Sequence, residues 1–290
     1  MNFVKGTAIR KHPELKQSFF DLAKSTFQLD FEQWDALGYW DETYCPYAFE
    51  VDNKIIANVS ISIATMIVDG QAYKSVQVGT VMTDPAYQGK GLSRQLMERV
   101  LTDVETDDII YLFANKSVLQ FYPKFGFETR TQGTFTIETR HLQLEPTDVK
   151  KVNIFDEKER QLFYEATAHR VPSSKTLSIL HNENIVMFHA LTQYSDAIYY
   201  VPAFQAFVIA VEHDDCYQLV DVISKNPIDL VSLISTLPIQ ASNIQLCFTP
   251  DTLRVPVEKG IFHDEGAMFV KQQGTIQYPE MLLYPYSALA

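Results

Sequence analysis

Cysteine and long apolar runs are scarce in this 290-residue sequence. The three cysteines, Cys45, Cys216 and Cys247, stand far apart and form neither a disulfide framework nor a metal-ligand spacing, so we expect no metal site. No apolar run approaches the ~20 residues that a membrane-spanning helix needs, and residues 1–22 lack the apolar stretch of a signal peptide. We therefore expect a cytoplasmic protein that does not bind membranes.

Basic residues are also few, with 24 lysines and arginines against 36 aspartates and glutamates, which gives a net charge of −12. Because nucleic-acid binding depends on neutralising phosphates with basic side chains, this balance argues against a nucleic-acid partner. An acidic protein attracts cations, so the charge is compatible with a cationic amine substrate. Solubility alone is the other explanation, and the charge does not decide between them.

The sequence holds only 11 glycines, and two of them, Gly89 and Gly91, stand in one short turn. The turn follows an apolar, strand-like run over 76–82 and precedes a predicted amphipathic helix. Apolar residues at four-residue spacing mark that helix: Leu92, Leu96, Val100 and Val104. A strand, a glycine-rich turn and a helix direct several backbone N–H groups at one point, beside the positive end of the helix dipole. The pattern therefore predicts a phosphate-binding loop.

The spacing within the turn narrows the kind of phosphate loop. The Walker pattern needs Ser or Thr directly after Gly-Lys, where this chain has Gly91, and the dinucleotide fingerprint needs a small residue where Arg94 stands. What fits is Gln-x-x-Gly-x-small, formed by Gln88, Gly91 and Ser93. This pattern resembles the GNAT superfamily of acyl-CoA-dependent N-acyltransferases, in which the loop binds the pyrophosphate of coenzyme A. An ordinary strand-to-helix turn is the alternative for this motif alone.

A second motif follows the next apolar run, 109–114. Asn115 ends that run, and the string Phe121-Tyr122-Pro123-Lys124-Phe125-Gly126-Phe127 comes shortly after it. The string is similar to the other GNAT signature, a tyrosine shortly before Gly-Phe. The two signatures together imply an α+β protein with a mixed sheet, the GNAT acyltransferase fold. They also imply an enzyme that uses acetyl-CoA as its acyl donor and no metal.

The resemblance assigns roles to residues of both motifs. Tyr122 would be the general acid, since a phenol with a reference pKa of about 10 stays protonated at neutral pH; simple packing against its aromatic neighbours is the alternative. The Asn115 side chain would hydrogen-bond the pantetheine arm, and the backbone of 81–83 would pair with that arm like an added strand, with one N–H facing the thioester oxygen. The residues expected to bind the cofactor are Val81, Met82, Thr83, Gln88, Gly89, Lys90, Gly91, Leu92, Ser93 and Asn115.

Several expectations concern the rest of the first half. A helix over 13–27 has Leu15, Phe19, Leu22 and Phe27 as candidate buried positions. Gly79 predicts a bulge in its strand, which in GNAT folds opens the slot for pantetheine, and a strand over 134–139 is expected to close the first sheet. Aromatic residues between 34 and 47 and two carboxylates, Glu42 and Glu50, are candidates for the acceptor site. No general base can be identified.

The chain is expected to divide into a catalytic GNAT domain, residues 1–145, and a degenerate GNAT-like domain without a phosphate loop, residues 146–290. The second half repeats features of the first, since Val222 to Pro227 parallels Val81 to Pro85, but no glycine follows Pro227 directly. This tandem layout resembles the first two domains of the enhanced-intracellular-survival type acetyltransferases. In those proteins the end of a third domain serves the active site, and we carry no such role onto Ala290.

The expected reaction is acetyl transfer from acetyl-CoA to an amine of a small molecule by direct attack. A peptide or protein N-acetyltransferase, which needs an open acceptor groove, is one alternative. A non-catalytic acyl-CoA-binding sensor is the other, although a non-catalytic relative should have lost the loop or Tyr122. The chain is also a possible homo-oligomer.

Overall fold

Two mixed β-sheets form the frame of the computed structural model, which describes residues 1–105, 108–262 and 266–290. The strands are β1 (Asn2–Lys5), β2 (Tyr44–Val51), β3 (Lys54–Val68), β4 (Gln71–Thr83), β5 (Ile109–Ala114), β6 (Glu128–Arg130), β7 (Gly133–Glu138), β8 (Lys150–Lys151), β9 (Leu177–Leu180), β10 (Ile198–Val201), β11 (Ala206–His213), β12 (Cys216–Ser224), β13 (Asn243–Leu246), β14 (Glu258–Ile261) and β15 (Ala267–Gln272). The helices are α1 (Thr7–Lys11), α2 (Pro13–Phe27), α3 (Glu32–Ala36), α4 (Leu92–Asp103), α5 (Glu157–Ala168), α6 (Glu183–Leu191) and α7 (Leu230–Ser235). The expected α+β class with mixed sheets is confirmed.

The first sheet has the order β1-β2-β3-β4-β5-β15-β6, with β9 added to β3. Its centre is the parallel pair β4 and β5, in which Ser75–Val78 pair with Ile109–Leu112. The second sheet has the order β14-β7-β13-β12-β11-β10-β8. None of the described helices combines the length and apolar character that a bilayer crossing requires.

Helix α2 forms as the sequence predicts, with Pro13 in its first turn and the His12 ring accepting a hydrogen bond from the Leu15 backbone N–H. It ends at Gln28, whose φ of 61° is left-handed and stops the helix. Leu15 and Phe19 are buried as expected. The expectation for Phe27 is wrong, because this side chain is 36% exposed at the end of the helix.

Each half of the chain supplies one strand to the sheet of the other half, across the predicted domain boundary. The strand expected over 134–139 was to close the first sheet, but β7 pairs antiparallel with β13 and β14 of the second sheet instead. In return, β15 from the second half lies between β5 and β6 of the first sheet. That expectation was wrong because an apolar strand fits either sheet, and its partner is decided by long-range packing. The division after residue 145 stays a prediction, and any boundary there separates strands that pair.

The second half repeats the central features of the first. Strands β11 and β12 form the expected hairpin, and Cys216–Leu219 of β12 pair in parallel with Asn243–Leu246 of β13. A register shift at Ile209 and Ala210 leaves one extra residue, Val220, in β12 just beyond this parallel pairing. The second half therefore repeats the antiparallel hairpin and the parallel pair that form the centre of the first sheet. Helix α7, capped by Asp229, follows where the first half has its glycine turn.

Residues 281–290, which we call the C-terminal segment, pack beside β12 and β13 where these strands end their pairing. The Tyr286 backbone N–H donates to the Cys247 carbonyl at 3.1 Å, and the Ser287 hydroxyl donates to the Asp221 carboxylate at 2.6 Å. Arg170 donates two further bonds to Asp221, at 2.8 and 2.6 Å, in a buried ion pair. A buried carboxylate needs such partners, so Asp221 fixes the course of this segment.

The pairing of β15 with β5 and β6 predicts that residues 1–145 do not fold alone, because without β15 one edge of β5 is open and β6 has lost the strand it pairs with. Expressed separately, this fragment is expected to give no cooperative thermal transition by circular dichroism and no dispersed amide NMR spectrum, whereas the whole chain gives both. A fragment with a native-like spectrum would contradict the dependence on β15.

Candidate functional site

A cavity of about 1040 Å³ opens where β4 and β5 diverge. Their parallel pairing stops at Val78 and Leu112, although β4 continues to Thr83 and β5 to Ala114. Beyond that point β5 pairs with β15 only, so the edge of β4 from Gly79 to Thr83 faces open space. An open strand edge offers unpaired backbone N–H and C=O groups to an extended ligand.

A bulge in β4 causes this divergence, at the place that Gly79 predicts. Asn58 pairs with Met82 and Ser60 with Gly79, so the single residue between them faces two residues of β4, Thr80 and Val81. Thr80 has a φ of 43°, a left-handed conformation that a β-branched residue adopts only under restraint. An extra residue of this kind increases the local twist and turns the strand end away from its neighbour.

Buried polar side chains supply the restraint on Thr80. The Asn58 amide donates to the Thr80 carbonyl at 3.0 Å and lies 3.2 Å from its hydroxyl. That hydroxyl also bonds Ser60 Oγ at 2.7 Å and the Tyr44 hydroxyl at 3.0 Å. Asn58 and Ser60 are fully buried, and burial raises the pKa of Tyr44 to about 12, so its phenol stays protonated. The bulge is thus held by a set of neutral hydrogen bonds.

Packing against the C-terminal segment is a second reason, besides the bulge, why residue 79 is a glycine. A β-carbon on this residue would lie 2.7 Å from the carbonyl oxygen of Ala290, so no larger residue fits while the C-terminal segment is in place. The Gln77 amide donates to the same oxygen at 3.0 Å. The structure thus brings Ala290 and Leu289 to the cavity wall, a position that no local pattern in the sequence predicts.

The predicted phosphate loop lies at one end of the cavity. Gly89 and Gly91 have φ angles of 75° and 73°, and a β-carbon on either would meet nothing within 4 Å, so the space before both glycines is open. Gly91 begins helix α4, and among the described side chains none caps the first turn of that helix. The first N–H groups of the helix are therefore left without a capping side chain, and the start of a helix is where a diphosphate is expected to bind.

Side-chain hydrogen bonds stabilise the conformation of this loop. The Thr83 hydroxyl hydrogen-bonds the Ser93 hydroxyl at 2.8 Å, which ties the end of β4 to the start of α4. Gln88 donates its amide to the Thr83 carbonyl at 3.3 Å. Asp84 accepts from the Ala86 N–H at 2.9 Å and from Lys54 at 2.6 Å, and the Lys54 bond lowers the pKa of this carboxyl group. These residues therefore set the geometry of the loop.

The two basic side chains of the loop differ in their contacts. Lys90 Nζ lies 4.4 Å from the centre of the Tyr87 ring and outside the cavity lining, while Arg94 lines the cavity and pairs with Glu98 at 3.0 Å. Both contacts are exposed and weak. Backbone N–H groups therefore remain the expected anion ligands of this loop.

Tyr122 lies in a short 3₁₀ turn, Tyr122–Phe125, and lines the middle of the cavity. Its ring packs against Phe121, Phe127 and Phe269 and is 5% exposed. Burial raises the pKa of its phenol to about 12, because an ionised oxygen would lose hydration there. Tyr122 is therefore a protonated donor throughout the neutral range.

The structure brings together most of the predicted site residues on one cavity surface: Val81, Thr83, Gln88, Gly89, Gly91, Leu92, Ser93, Asn115 and Tyr122. Met82 and Lys90 are outside the lining. The Met82 side chain points to the core because alternate residues of a strand face opposite sides.

Some residues predicted for the acceptor site line the cavity, and others do not. Trp34 and Tyr44 of the aromatic stretch line the cavity, but neither Glu42 nor Glu50 is among the lining residues. Glu42 pairs with Arg10 at the surface, and Glu50 accepts bonds from Asn2 and Asn53. Sequence reasoning missed the contribution of helix α6, which adds Ile185, Phe188 and His189.

His189 is held in one tautomer. Its Nε2 atom donates to the Leu289 carbonyl at 2.6 Å, since a carbonyl only accepts, and burial lowers the pKa of the ring. The imidazole is therefore neutral at physiological pH and anchors the C-terminal segment at the cavity. No cluster of metal-binding side chains is found in the parts of the chain that the structure describes.

Three features meet in one cavity: the diverging strands β4 and β5, the predicted phosphate loop of residues 88–93, which we call the anion loop, and the buried phenol of Tyr122. Together they define an acyl-CoA-dependent acyltransferase. The comparison with protein families agrees, since residues 11–130 match the model of the acetyltransferase (GNAT) domain. This segment is a GNAT acetyltransferase domain, and the recognition of that superfamily from the two motifs is confirmed.

Solved structures show the same layout over nearly the whole chain. A probable N-acyltransferase from Enterococcus faecalis V583 is 16% identical, covers 94% of this chain and 72% of its own, and superposes with a TM-score of 0.59. Eis1 from Mycobacterium abscessus is 15% identical, covers 92% of this chain and 73% of its own, and gives 0.57. At these identities the likeness concerns the fold, and it extends to both halves.

Curated relatives match over a much shorter stretch. The soybean (Glycine max) protein called histone acetyltransferase TAP1 is 42% identical over 55 residues, which is 18% of this chain and 24% of the relative. The chain thus spans about a quarter of the length of the curated relatives it matches.

The bulge gives the first test of the site. Asn58→Leu keeps the size of the side chain but removes the amide that restrains Thr80. We expect the free energy of unfolding to fall by about 1–3 kcal/mol and the dissociation constant of acetyl-CoA to rise about tenfold, measured by chemical denaturation and calorimetry.

Asn182→Leu is the matched control, because Asn182 is buried and its amide has no partner among the described residues. This variant should leave acetyl-CoA binding unchanged. Equal affinity in the Asn58→Leu variant and the native protein would show that the bulge does not depend on Asn58.

Proposed function

We propose that the protein transfers an acetyl group from acetyl-CoA to an amine of a small molecule, with Tyr122 as the general acid. The observation that carries this proposal is that the Tyr122 phenol, the anion loop and the free edge of β4 line the same cavity. Each element meets a separate need of acyl transfer, namely proton donation, donor binding and donor alignment.

The residues of the cavity fit the acyl donor. The open space before Gly89 and Gly91 admits a pyrophosphate to the backbone N–H groups at the start of α4. The edge from Gly79 to Thr83 can pair with the amide groups of the pantetheine arm, and Asn115 lies on the opposite wall. Hydrogen bonds from the β4 backbone would also stabilise the oxyanion that forms at the thioester carbonyl.

In this reaction the protein has two roles, which are to align the reactants and to donate one proton. The neutral amine nitrogen forms a bond to the thioester carbon, the carbon–sulfur bond breaks, and the nitrogen loses a proton to solvent. Tyr122 gives its proton to the departing sulfur and recovers one from water. Because burial raises the pKa of Tyr122 to about 12, the phenol stays protonated, and so able to donate, throughout the neutral range.

A small acceptor agrees better with the cavity than a protein chain does. The wall beyond Thr80 combines residues from α2 and α3 with residues from α6 and the C-terminal segment, so residues of both halves limit the space for an acceptor. A peptide acceptor needs an open groove, and a sensor without turnover needs no donor of protons. The name of the soybean relative applies to that protein, whose match covers too little of either chain to carry its acceptor here.

The general-acid role is tested by Tyr122→Phe, which removes one hydroxyl and keeps the ring. We expect the turnover number to fall about 10²-fold or more, while the dissociation constant of acetyl-CoA stays within about twofold, because the proton is needed only as the sulfur leaves. Steady-state kinetics with a free-thiol assay and calorimetry measure the two quantities.

Tyr39→Phe is the control, since Tyr39 packs on Tyr164 and lies outside the cavity lining. It should keep native turnover. An unchanged turnover number in Tyr122→Phe would assign the proton donor elsewhere.

A further inference from the structure

We propose that Lys271, on strand β15 of the second half, positions Tyr122 for proton donation by holding the end of the turn that carries it. Lys271 lies outside the cavity lining, so it is a positioning residue and not a catalytic one. The inference deepens the proposed function and rests on it, since it takes Tyr122 as the general acid. It comes from the contacts that β15 makes with the turn Tyr122–Phe125.

The direction of the Tyr122 hydroxyl depends on the surroundings of its ring and backbone. None of the described residues hydrogen-bonds this hydroxyl, and burial is the cause of the raised pKa of the phenol. The ring is therefore placed by the packing around it and by the backbone of its turn. Because a proton donor must meet the departing sulfur at hydrogen-bond distance, a small shift of the turn should slow the reaction.

Strand β15 contributes to both the packing and the turn. Phe269 is 1% exposed and packs on the Tyr122 ring, with the two ring centroids 5.7 Å apart. Lys271 is two residues further along the strand and lies on the same face, since alternate residues of a strand point the same way. Its Nζ atom donates to the Phe125 carbonyl at 3.0 Å. The strand thus contacts the ring and the end of the turn together.

The Phe125 carbonyl stands at the end of the turn, where a backbone acceptor needs a partner from outside. The last carbonyls of a helical turn have no partner within it, and a lysine side chain can bond them. The Gly126 N–H donates to the Pro123 carbonyl at 3.1 Å, and the Phe125 carbonyl is left for Lys271. A charged donor makes this bond stronger than one between neutral groups. Lys271 therefore fixes the turn at its end.

Gly126 leaves room for the lysine. Its φ of 82° is left-handed, and a β-carbon on this residue would lie 3.0 Å from Lys271 Nζ. Within the described parts of the chain, the Phe125 carbonyl is the one hydrogen-bond partner of the Lys271 ammonium group. The ammonium group is therefore committed to the turn and not to a carboxylate.

The test combines Lys271→Met with Tyr122→Phe in a double-mutant cycle. Lys271→Met keeps a long, unbranched side chain and removes the donor. We expect the turnover number to fall about 10- to 50-fold while the dissociation constant of acetyl-CoA stays within about twofold. In a protein that already carries Tyr122→Phe, the same change should lower turnover by less than about twofold more, because the proton donor that Lys271 positions is gone.

Turnover is measured as free thiol released from acetyl-CoA with ethylamine, 2-phenylethylamine or spermidine, using the amine that the native protein acetylates fastest. Hydrogen exchange followed by mass spectrometry should show faster exchange over residues 121–127 in Lys271→Met and native exchange in the second sheet. Lys259→Met is the control, because Lys259 is an exposed strand lysine outside the cavity lining. It should keep native turnover and native exchange.

The outcomes separate this inference from the proposed function. Native turnover in Lys271→Met, or a loss that is equally large in the Tyr122→Phe background, would overturn the positioning role and leave the acetyltransferase function in place. Loss of exchange protection across both sheets would make Lys271 a residue of general stability and would overturn the role too. Native turnover in Tyr122→Phe, or acetyl-CoA binding without acetylation of any of the three amines, would contradict the proposed function and this inference with it.

Discussion

The site depends on one local constraint, the left-handed backbone of Thr80 in β4. For a residue other than glycine this conformation costs about 1–2 kcal/mol, and the buried hydrogen bonds of Thr80 with Asn58, Ser60 and Tyr44 offset it. The bulge that results ends the pairing of β4 with β5 and leaves the edge up to Thr83 free. Without it, the two strands would continue side by side and close the space between the anion loop and the acceptor wall.

The second half shows why, among the described residues, such a site forms beside β4 and not beside β12. Strand β12 has its own bulge, but the C-terminal segment packs there, bonded to Asp221 and to the Cys247 carbonyl. The second divergence is thus filled by the chain itself, and the glycine turn is replaced by α7. The same segment continues to Ala290 at the wall of the first cavity, so both halves build one site.

Local features of the site could be predicted from the sequence, and long-range ones could not. The loop around Gly91, the turn at Tyr122 and the bulge at Gly79 each depend on a few adjacent residues whose conformational preferences are strong. The pairing of β7 and β15 depends on which sheet each strand meets, and local strand preference does not decide between two sheets. The periodicity that places Leu15 in the core also placed Phe27 there, because a helical pattern does not show where a cavity interrupts the core.

A crystal structure with coenzyme A bound tests the central claim most directly. The account predicts the pyrophosphate against the backbone of Gln88 to Ser93 and the pantetheine arm between Gly79–Thr83 and Asn115, with the sulfur facing Tyr122. Coenzyme A bound beside β12, or in the first half with its sulfur away from Tyr122, would contradict it.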